Sequence, residues 1–487
     1  MEVFTVSFAG KAKKTIKSIL HKLPGFRYLF AKMDAYQRTI TDMTNAIKRL
    51  ENTNLELETF CNQQISEMTQ KVMLLNRQVE EQKSIVEKKL EFQNKRIITN
   101  KFAIKKANGA PIKVVFLIEE PSIIKNVISI IEEMNKDDRF EVVLINLWYK
   151  VYSNDNYTYK RPSIENVIDT SQYIMIEAYD ILEDKWFDIE TLMPDYVFFS
   201  RPYDYYRNEL YHIDMVANYA RTCYVPYGIQ TIGGAIERMV LTPECGNLYY
   251  FFMDNALRKE VISEAMQGTR LIREGRLVYL GYPGMDMLSM HDEIRNYDNK
   301  RFTILWLPRW NNKENNCHFF EYKDVLVNYA KKNRDCRVTL RPHSLCFNHF
   351  LDTGEMTQME LEQLRIDYSA PNRIDETSNY IDAFGESSVL VADETSLIAE
   401  YFLTGKPIVF CKKETHFSLL MEKLIEGCYV VNSEEELIDV LEQLKNGHDP
   451  MKQIREKIMK ETLLDYGKSV ACNIKEELWN DFADVCH

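Results

Sequence analysis

Apolar positions along the chain change their spacing near residue 110, and the spacing before that point predicts one long helix. From Ala35 to Asn94 there is neither Pro nor Gly, and residues that are apolar except for Asn54 and Gln82 recur at heptad a and d positions. Two such series occur, Ile40, Met43, Ile47, Leu50, Asn54, Leu57 and Cys61, then Ile65, Met68, Val72, Leu75, Val79, Gln82 and Val86. The four-residue slip between them is a stutter, which locally unwinds a coiled coil. The pattern predicts a helix over 35–107. We expect its apolar heptad positions to be buried by self-association, and packing against the same chain is the alternative.

Basic residues gather ahead of that helix. Between Met1 and Lys32 there are seven Lys or Arg residues and one acid, interleaved with apolar side chains. A basic amphipathic segment of this kind, here 1–34, is typical of a helix that lies on an anionic membrane face. Docking of the segment on the acidic body of the same chain is the alternative.

From Ile112 onward, short apolar runs alternate with stretches of helical spacing. The runs that read as buried strands are IKVVFLIEE, FEVVLINLW, DYVFFS and TCYVPYG, followed by FTILWLP, CRVTLRPH, SVLVAD, PIVF and GCYVV. Buried strands joined by helices form parallel sheets. The sequence therefore predicts an α/β protein with two doubly wound, Rossmann-like domains, at 111–278 and 279–450, and a cleft between them. A last helical stretch, 451–487, is long enough to cross back to the first domain.

Composition narrows the class of protein. The chain has 487 residues, is 45% hydrophobic and carries a net charge of −12, which argues against nucleic acid as the main partner. Ten cysteines without a CxxC pair indicate a reducing cytosol. No apolar run is long enough to span a membrane, and no secretion signal is recognised. We expect a cytoplasmic protein, peripheral on the inner face of the cell membrane, with no metal and no cofactor.

One junction carries candidate chemistry. In VLVADETSLIAEYFLTGKPIVF, from Val389 to Phe410, an apolar strand ends in Asp393 and a helical pattern begins near Thr395 and Ser396. The passage from strand to helix is where α/β proteins bind phosphate, because the free N–H groups of the first helical turn face an anion. Plain capping of the helix by the two hydroxyls is the alternative.

Five motifs in the second half follow one another in order: GYPGMD, ILWLPRW, LRPHS, VADETSLIAEYFLTGKPIVF and DYGKSVACNIKEEL. Over about Gly281–Leu478 this order resembles the CDP-glycerol glycerophosphotransferase family of teichoic acid and capsule polymer synthesis. The resemblance implies a GT-B-like fold. In it, 111–278 is the acceptor domain, 279–450 is the nucleotide-donor domain, and 451–487 is the crossing helix.

The resemblance can be followed residue by residue. Positions that match the family's pattern are Gly281, Tyr282, Pro283, Asp286, Pro308, Trp310, His343, Asp393, Asp465, Gly467 and Lys468. Positions where another residue stands in are Arg309 for Thr, Asn311 for Arg, Ser344 for Pro, Thr395 and Ser396 for a pair of serines, and Glu400 for Asp.

These positions imply a donor site. Thr395, Ser396, Arg309 and Asp393 are expected to form its phosphate-binding part. Asp393 is expected to orient the loop, since a carboxylate and a phosphate repel each other. Glu400 is expected to accept hydrogen bonds from the ribose of the nucleotide, and a solvated helix face is the alternative.

Arg341 and His343 follow the strand in LRPHS, and they are the expected catalytic residues. Arg341 can pair with phosphate oxygens, and His343 can donate to the diphosphate or steer the transferred group. A structural histidine is the alternative.

The implied reaction transfers a polyol phosphate from a CDP-linked donor to a hydroxyl of a polymer or lipid-linked acceptor, with release of CMP. The acceptor half departs from the family, which often has a Trp-His-Gly segment whose His is the general base. The counterpart here, CYVPYGIQTIGG, has no His. His212, Tyr227 and Asp204 are the available bases, and the sequence does not choose among them.

Two other functions fit the same residues. A GT-B glycosyltransferase that uses a nucleotide sugar would need the same fold and the same phosphate site. The missing His and the substitution at Arg309 also fit an inactive coiled-coil scaffold at the membrane.

Overall fold

A computed structural model describes residues 24–153, 156–233, 241–289, 301–312, 317–377, 380–413, 416–463 and 469–484. Three positions of the last motif, Asp465, Gly467 and Lys468, lie outside the described residues, as does most of the basic segment, 1–23. The chain divides into two compact units, one up to Glu91 and one from Phe92 to the end.

The predicted long helix is present. It is α1, Pro24–Ala107, and it begins earlier than predicted. In the first unit the apolar heptad side chains of α1 are exposed: Ile40, Met43, Ile47, Leu50, Leu57, Ile65, Met68, Val72, Leu75, Val79 and Val86. In the second unit, by contrast, Ile98 and Phe102 at the end of α1 are buried.

The first sheet of the second unit is built from short apolar strands. The strands of this half are β1 Ile112–Ile118, β2 Phe140–Asn146, β3 Tyr149–Ser153, β4 Asn156–Lys160, β5 Ile174–Glu177, β6 Tyr179–Asp180, β7 Lys185–Trp186, β8 Tyr196–Phe199, β9 Arg221–Tyr224, β10 Tyr250–Phe252 and β11 Arg276–Val278. Seven of them form a parallel sheet in the order β11-β10-β9-β8-β1-β2-β5. The pairs β3–β4 and β6–β7 are antiparallel.

Helices and 3-10 turns connect these strands. The helices are α2 Ile128–Asn135, α3 Ile213–Val216, α4 Lys259–Ala265 and α5 Arg270–Arg273. The 3-10 turns are Pro121–Asn126, Ile164–Asn166, Thr170–Gln172, Ile189–Leu192, Asp204–Tyr206, Glu209–Tyr211, Pro243–Asn247 and Ala256–Arg258. The central strands are buried on both faces, as parallel strands covered by connections must be.

The second sheet repeats the plan with six parallel strands. They are β12 Phe302–Leu307, β13 Cys336–Leu340, β14 Arg373–Ile374, β15 Val389–Ala392, β16 Ile408–Cys411 and β17 Tyr429–Val431, in the order β14-β13-β12-β15-β16-β17. The described helices of this half are α6 Gly284–Ser289, α7 Phe319–Lys332, α8 Cys346–Thr353, α9 Gln358–Asp367, α10 Ile381–Glu386, α11 Leu397–Phe402, α12 Leu419–Ile425, α13 Glu434–Lys445, α14 Lys452–Thr462 and α15 Val470–Asp484. Two parallel sheets covered by helices confirm the predicted two-domain, GT-B-like fold.

The C-terminal helix packs on the first half. Ile474 and Leu478 of α15 are fully buried in the same core as β1. The Asp286 carboxylate, from the GYPGMD motif, accepts the N–H groups of Val470 (2.9 Å) and Ala471 (2.8 Å) and so caps α15. The matched Asp286 therefore anchors the crossing helix.

Candidate functional site

Each sheet has one point where the chain reverses its direction of travel across the strands. In the first sheet this point lies between β1 and β8, and in the second it lies between β12 and β15. Open α/β sheets bind ligands in the crevice beyond the carboxyl ends of such strands. A cavity of about 550 Å³ lies beyond these strands and has residues of both halves in its walls.

The loops after β12 and β15 meet at an ion pair. Arg309 Nη1 lies 2.7 Å from Glu394 Oε2, and both residues line the cavity. Asp393 lies behind them and is buried. Its carboxylate accepts the N–H of Arg309 (2.7 Å) and pairs with Nδ1 of His318 (2.6 Å). Asp393 is thus placed to shape the loop, and it is not among the residues that line the cavity.

His343 lies in the loop after β13 and stacks on Trp310, with ring centroids 5.7 Å apart. Its Nδ1 accepts the backbone N–H of Leu345 at 3.2 Å. In the neutral ring the proton is therefore on Nε2, which remains a donor. Although the residue is open to solvent, desolvation by the cleft walls and the charge of Arg309 lower its pKa.

Arg341 lines the same wall and is held in position by the strand beside it. Its guanidinium donates to the carboxylate of Asp375 (2.7 Å) and to the carbonyl of Thr377 (2.8 Å). Burial opposes ionisation of Asp375, but the Thr377 hydrogen bonds and the Arg341 charge outweigh it and keep the Asp375 pKa below its usual value. Arg341 is consequently a fixed positive charge in the cavity wall.

Thr395 and Ser396 line the cavity where β15 passes into α11. The predicted capping is weak, because Thr395 Oγ1 accepts the N–H of Leu397 at 3.4 Å and Ser396 makes no capping bond. Since α11 has only six residues, the hydroxyls and the arginines are the relevant anion-binding groups here. Gly228 of the other half passes close by, and a Cβ added there would lie 3.7 Å from Ser396 Oγ.

Glu400 is fully buried and does not line the cavity. Its carboxylate accepts the hydroxyl of Tyr380, and Lys125 Nζ lies 3.5 Å away. Lys125 and Tyr380 both line the cavity, and the Lys125 ammonium lies 4.3 Å from the centre of the Tyr380 ring. In this structure Glu400 supports these two residues from behind and is out of reach of a ribose in the cavity.

The N-terminal half contributes the loop after β9. Tyr227, Gly228, Gln230 and Thr231 line the cavity. Thr231 donates its hydroxyl to Glu394, so one carboxylate is shared by Arg309 and by the opposite half.

Backbone hydrogen bonds join the two halves at the end of this loop. Ser418 N donates to Thr231 O at 2.8 Å, and Gly233 N donates to His416 O at 2.9 Å. Ile232 and Phe417 form an antiparallel bridge. The structure therefore describes the cleft with its two halves in contact.

The three candidate bases are separated by the fold. Tyr227 lines the cavity, and its hydroxyl lies 3.1 Å from that of Tyr203. Asp204 and His212 are not part of the lining, and Asp204 is bound to Arg207 at 2.8 Å. The structure thus brings Arg309, Arg341, His343, Thr395 and Ser396 together with Tyr227.

Within the described residues, one group of side chains has the spacing of metal ligands. Ligand atoms of Asp204, His212 and Asp214 lie within 4.8 Å of one another. The guanidinium of Arg207 already neutralises Asp204, which makes that carboxylate a poor ligand for a second cation. We assign no metal to this group.

Sequence reasoning missed Lys125, Glu394 and Tyr380. Lys125 lies in a 3-10 turn of the other half, and Glu394 stands between two residues whose roles were recognised. For Glu394 the available signal was its place in the motif, between Asp393 and Thr395. Nothing local marked Tyr380, whose role depends on contact with Glu400 and Lys125.

No protein-family model matches the chain, and the search of curated proteins found no match. Solved structures do match. A Listeria monocytogenes protein assigned as a UDP-N-acetylglucosamine 2-epimerase is 14% identical, with a TM-score of 0.50 over 77% of this chain and 97% of that one. The UDP-GlcNAc 2-epimerase from Neisseria meningitidis, bound to UDP-GlcNAc, is 12% identical, with a TM-score of 0.50 over 76% of this chain and 100% of that one.

The structural neighbours also include the wall teichoic acid polymerase TagF. It is 15% identical, with a TM-score of 0.44 over 76% of this chain and 89% of that one. At these identities the two epimerase likenesses show the fold. They agree with the two parallel sheets in establishing a GT-B-like protein.

Proposed function

We propose that the chain is a transferase that moves a polyol phosphate from a CDP-linked donor to a hydroxyl acceptor. The acceptor oxygen attacks the β-phosphorus, and a new P–O bond forms. The bond from that phosphorus to the bridging oxygen breaks, and CMP leaves with the electron pair. The proton of the acceptor hydroxyl passes to a base.

The observation that carries this proposal is the meeting of Arg309, Arg341 and His343 with the hydroxyls of Thr395 and Ser396 around one cavity. A diphosphate carries negative charge before the reaction, and the departing CMP gains charge in the transition state. Fixed positive groups and N–H or O–H donors aimed at that charge are what such a transfer requires.

Each residue has a distinct part in the proposed reaction. Arg341, held by Asp375, supplies a fixed charge for the phosphate oxygens. His343 supplies the Nε2 donor, and Arg309 a second charge whose direction Glu394 sets. Asp393 is a positioning residue, because its carboxylate binds the backbone of Arg309 and His318.

The acceptor side of the proposal rests on Tyr227. Among the three candidate bases it is the one whose side chain lines the cavity. It lies on the half that the family resemblance assigns to the acceptor. We therefore place the acceptor hydroxyl against Tyr227 and the donor diphosphate against the opposite wall.

Calorimetry with the full chain and a panel of nucleotides tests the donor. CMP, CDP-glycerol, CDP-ribitol and UDP-GlcNAc are the ligands, the last because the Neisseria meningitidis neighbour binds it. The proposal expects the two CDP-polyols to bind and CMP to compete with them. Preference for UDP-GlcNAc would favour a glycosyltransferase, and no binding at millimolar concentration would favour the inactive scaffold.

We also propose that the first unit joins copies of this chain. Its heptad side chains are exposed along α1, and a stripe of this kind is covered in a coiled coil. No helix among the described residues has the length and apolar character needed to cross a bilayer. The basic segment 1–34 remains our proposed contact with an anionic membrane face, where each Lys or Arg contributes about 1 kcal/mol.

Sedimentation of the full chain with and without two stripe substitutions, Leu50→Lys and Leu75→Lys, tests the assembly. Charges at core positions are expected to convert an oligomer into a monomer. Leu55→Lys, at an exposed position off the stripe, is the matched control. A monomeric wild type would contradict the proposal.

A further inference from the structure

A second cavity, of about 630 Å³, lies on the N-terminal half. Its walls come from Trp148, which follows β2, and from the β6–β7 hairpin, which follows β5. Because the carboxyl ends of parallel strands share one edge, this cavity opens along the edge of the first sheet from which Tyr227 enters the cleft. None of its lining residues belongs to the cleft described above.

Aromatic rings form one side of this cavity. The centroids of Trp148 and Tyr179 lie 5.3 Å apart, and those of Tyr179 and Trp186 lie 5.0 Å apart. Trp186 also contacts Tyr159, at 4.7 Å between centroids. Three of these rings, those of Trp148, Tyr179 and Trp186, are only partly buried and line the cavity. Rings that are partly exposed to solvent offer flat apolar faces with a polar edge. Such rings suit a ligand that is apolar on its faces and polar on its rim.

Hydrogen-bonding groups surround the rings. Glu177 accepts from Arg161 (2.7 Å) and from the indole N–H of Trp148 (3.2 Å), so the first aromatic ring is fixed in place. Asp188 and Thr191 also line the cavity. Carboxylates and hydroxyls at the rim can accept and donate hydrogen bonds with neighbouring hydroxyl groups of one ligand.

The charges of the lining select the ligand. Four carboxylates and two basic side chains line the cavity, namely Glu177, Asp180, Glu183 and Asp188 against Arg161 and Lys185. An excess of negative charge repels phosphate-rich polymers, nucleotides and anionic lipid headgroups. A neutral sugar ring meets all the conditions, because its C–H faces stack on the rings and its hydroxyls donate to the carboxylates.

We infer that this cavity binds a neutral saccharide chain. Binding itself does not depend on the transferase reaction. The role that we give it, holding the glycan part of an acceptor while its hydroxyl end reaches Tyr227, rests on the proposed function.

Calorimetry with the full chain tests the inference. The probes are maltohexaose, cellohexaose and chitohexaose, with an oligomer of glycerol phosphate and phosphatidylglycerol vesicles as anionic counterparts. The variants are Trp186→Ala and Trp148→Ala. Trp186 packs on the buried Tyr211, whereas Trp148 contacts Tyr179 and Glu177 near the surface, so the second variant is informative if the first fails to fold.

Saturable binding of at least one neutral hexasaccharide is expected, weakened about tenfold or more by loss of either indole. Tyr157→Ala, which removes an exposed ring of the β3–β4 hairpin outside the lining, is expected to bind as wild type does.

Three results would overturn the inference: no binding of any neutral probe, unchanged binding in a folded Trp148→Ala protein, or displacement of the saccharide by an anionic probe. CMP affinity, measured on the same samples, separates this result from the donor proposal. Saccharide binding without CMP binding would remove the proposed reaction and leave this site standing.

Discussion

The two α/β halves have sheets of the same kind, yet they bring different chemistry to the edge where the strands end. The C-terminal half presents Arg309, Arg341 and His343, whereas the N-terminal half presents Tyr227 and Lys125 in the cleft and an acid-rimmed aromatic cavity beside it. A parallel sheet fixes where a site lies, and the loop residues decide what it binds. Under the proposed reaction, the donor diphosphate meets the C-terminal wall and the acceptor hydroxyl meets Tyr227 of the N-terminal wall. Substitutions on the two walls should therefore change different kinetic constants.

The largest expected effect is on kcat, from a substitution on the N-terminal wall of the cleft. Tyr227→Phe removes the oxygen that takes the acceptor proton in the proposed reaction, so kcat should fall by about 100- to 10,000-fold, the range for general acid–base catalysis. The Kd for CMP should not change, because the donor contacts the opposite wall. Rapid-quench measurement of CMP release checks the first expectation, and calorimetry checks the second.

Tyr205→Phe is the control, since Tyr205 is exposed and does not line the cavity. Normal turnover in Tyr227→Phe, together with loss of turnover in His212→Gln or Asp204→Asn, would show that the general base is the other residue and not Tyr227.

The next largest effect is expected on the affinity for CDP-glycerol, from a substitution on the C-terminal wall of the cleft. Arg309→Ala removes a hydrogen bond to a charged group, which is worth about 1.5 to 3 kcal/mol, so CDP-glycerol affinity should fall by about 10- to 150-fold. Calorimetry measures the Kd. Arg365→Ala, at an exposed ion pair with Glu376, should leave it unchanged. Equal affinities for Arg309→Ala and wild type would break the assignment of phosphate to this wall.

The smallest expected effect is a pH dependence of the affinity for CDP-glycerol, which arises from His343 on the C-terminal wall. The pKa of His343 lies below its ordinary 6.5, so the ring is neutral at pH 7 and becomes a cation as the pH falls. A charged donor binds phosphate more strongly than a neutral one, and CDP-glycerol affinity should therefore rise about fivefold on acidification. CDP-glycerol suits this test because its diphosphate is a diester and keeps its charge.

His343→Gln keeps a neutral donor, so its affinity should not change with pH over the same interval. Parallel pH profiles for the variant and the wild type would assign the titration to another group.

The sequence predicted the main strands of the two sheets, but it did not predict the hairpins or the residues that hold the side chains of the site in place. The strands near 112, 302 and 389 were identified because they are unbroken apolar runs, and a loop that reaches the cleft follows each of them. The β3–β4 and β6–β7 hairpins were missed, since their mixture of Tyr, Lys and Asp has no apolar run to reveal a strand. The second cavity could not be anticipated without them.

Glu400 shows why the remainder of the site could not be predicted from the sequence. On a helical pattern a glutamate is expected in solvent, yet this one is buried because Tyr380 and Lys125 cover it. Those partners are 20 and 275 residues away along the chain, so no local pattern joins them to Glu400. The Ser396 and Arg309 positions, in contrast, follow directly from the ends of strands that the sequence revealed.

Glu394 touches both sides of the cleft at once, through Thr231 and through Arg309. The same carboxylate therefore joins the two halves of the cleft. Parting them would take Thr231 away from the carboxylate that aims the Arg309 guanidinium. Under the proposed reaction, separation of the two halves would also weaken the binding of CMP, because Arg309 would lose the contact that orients it.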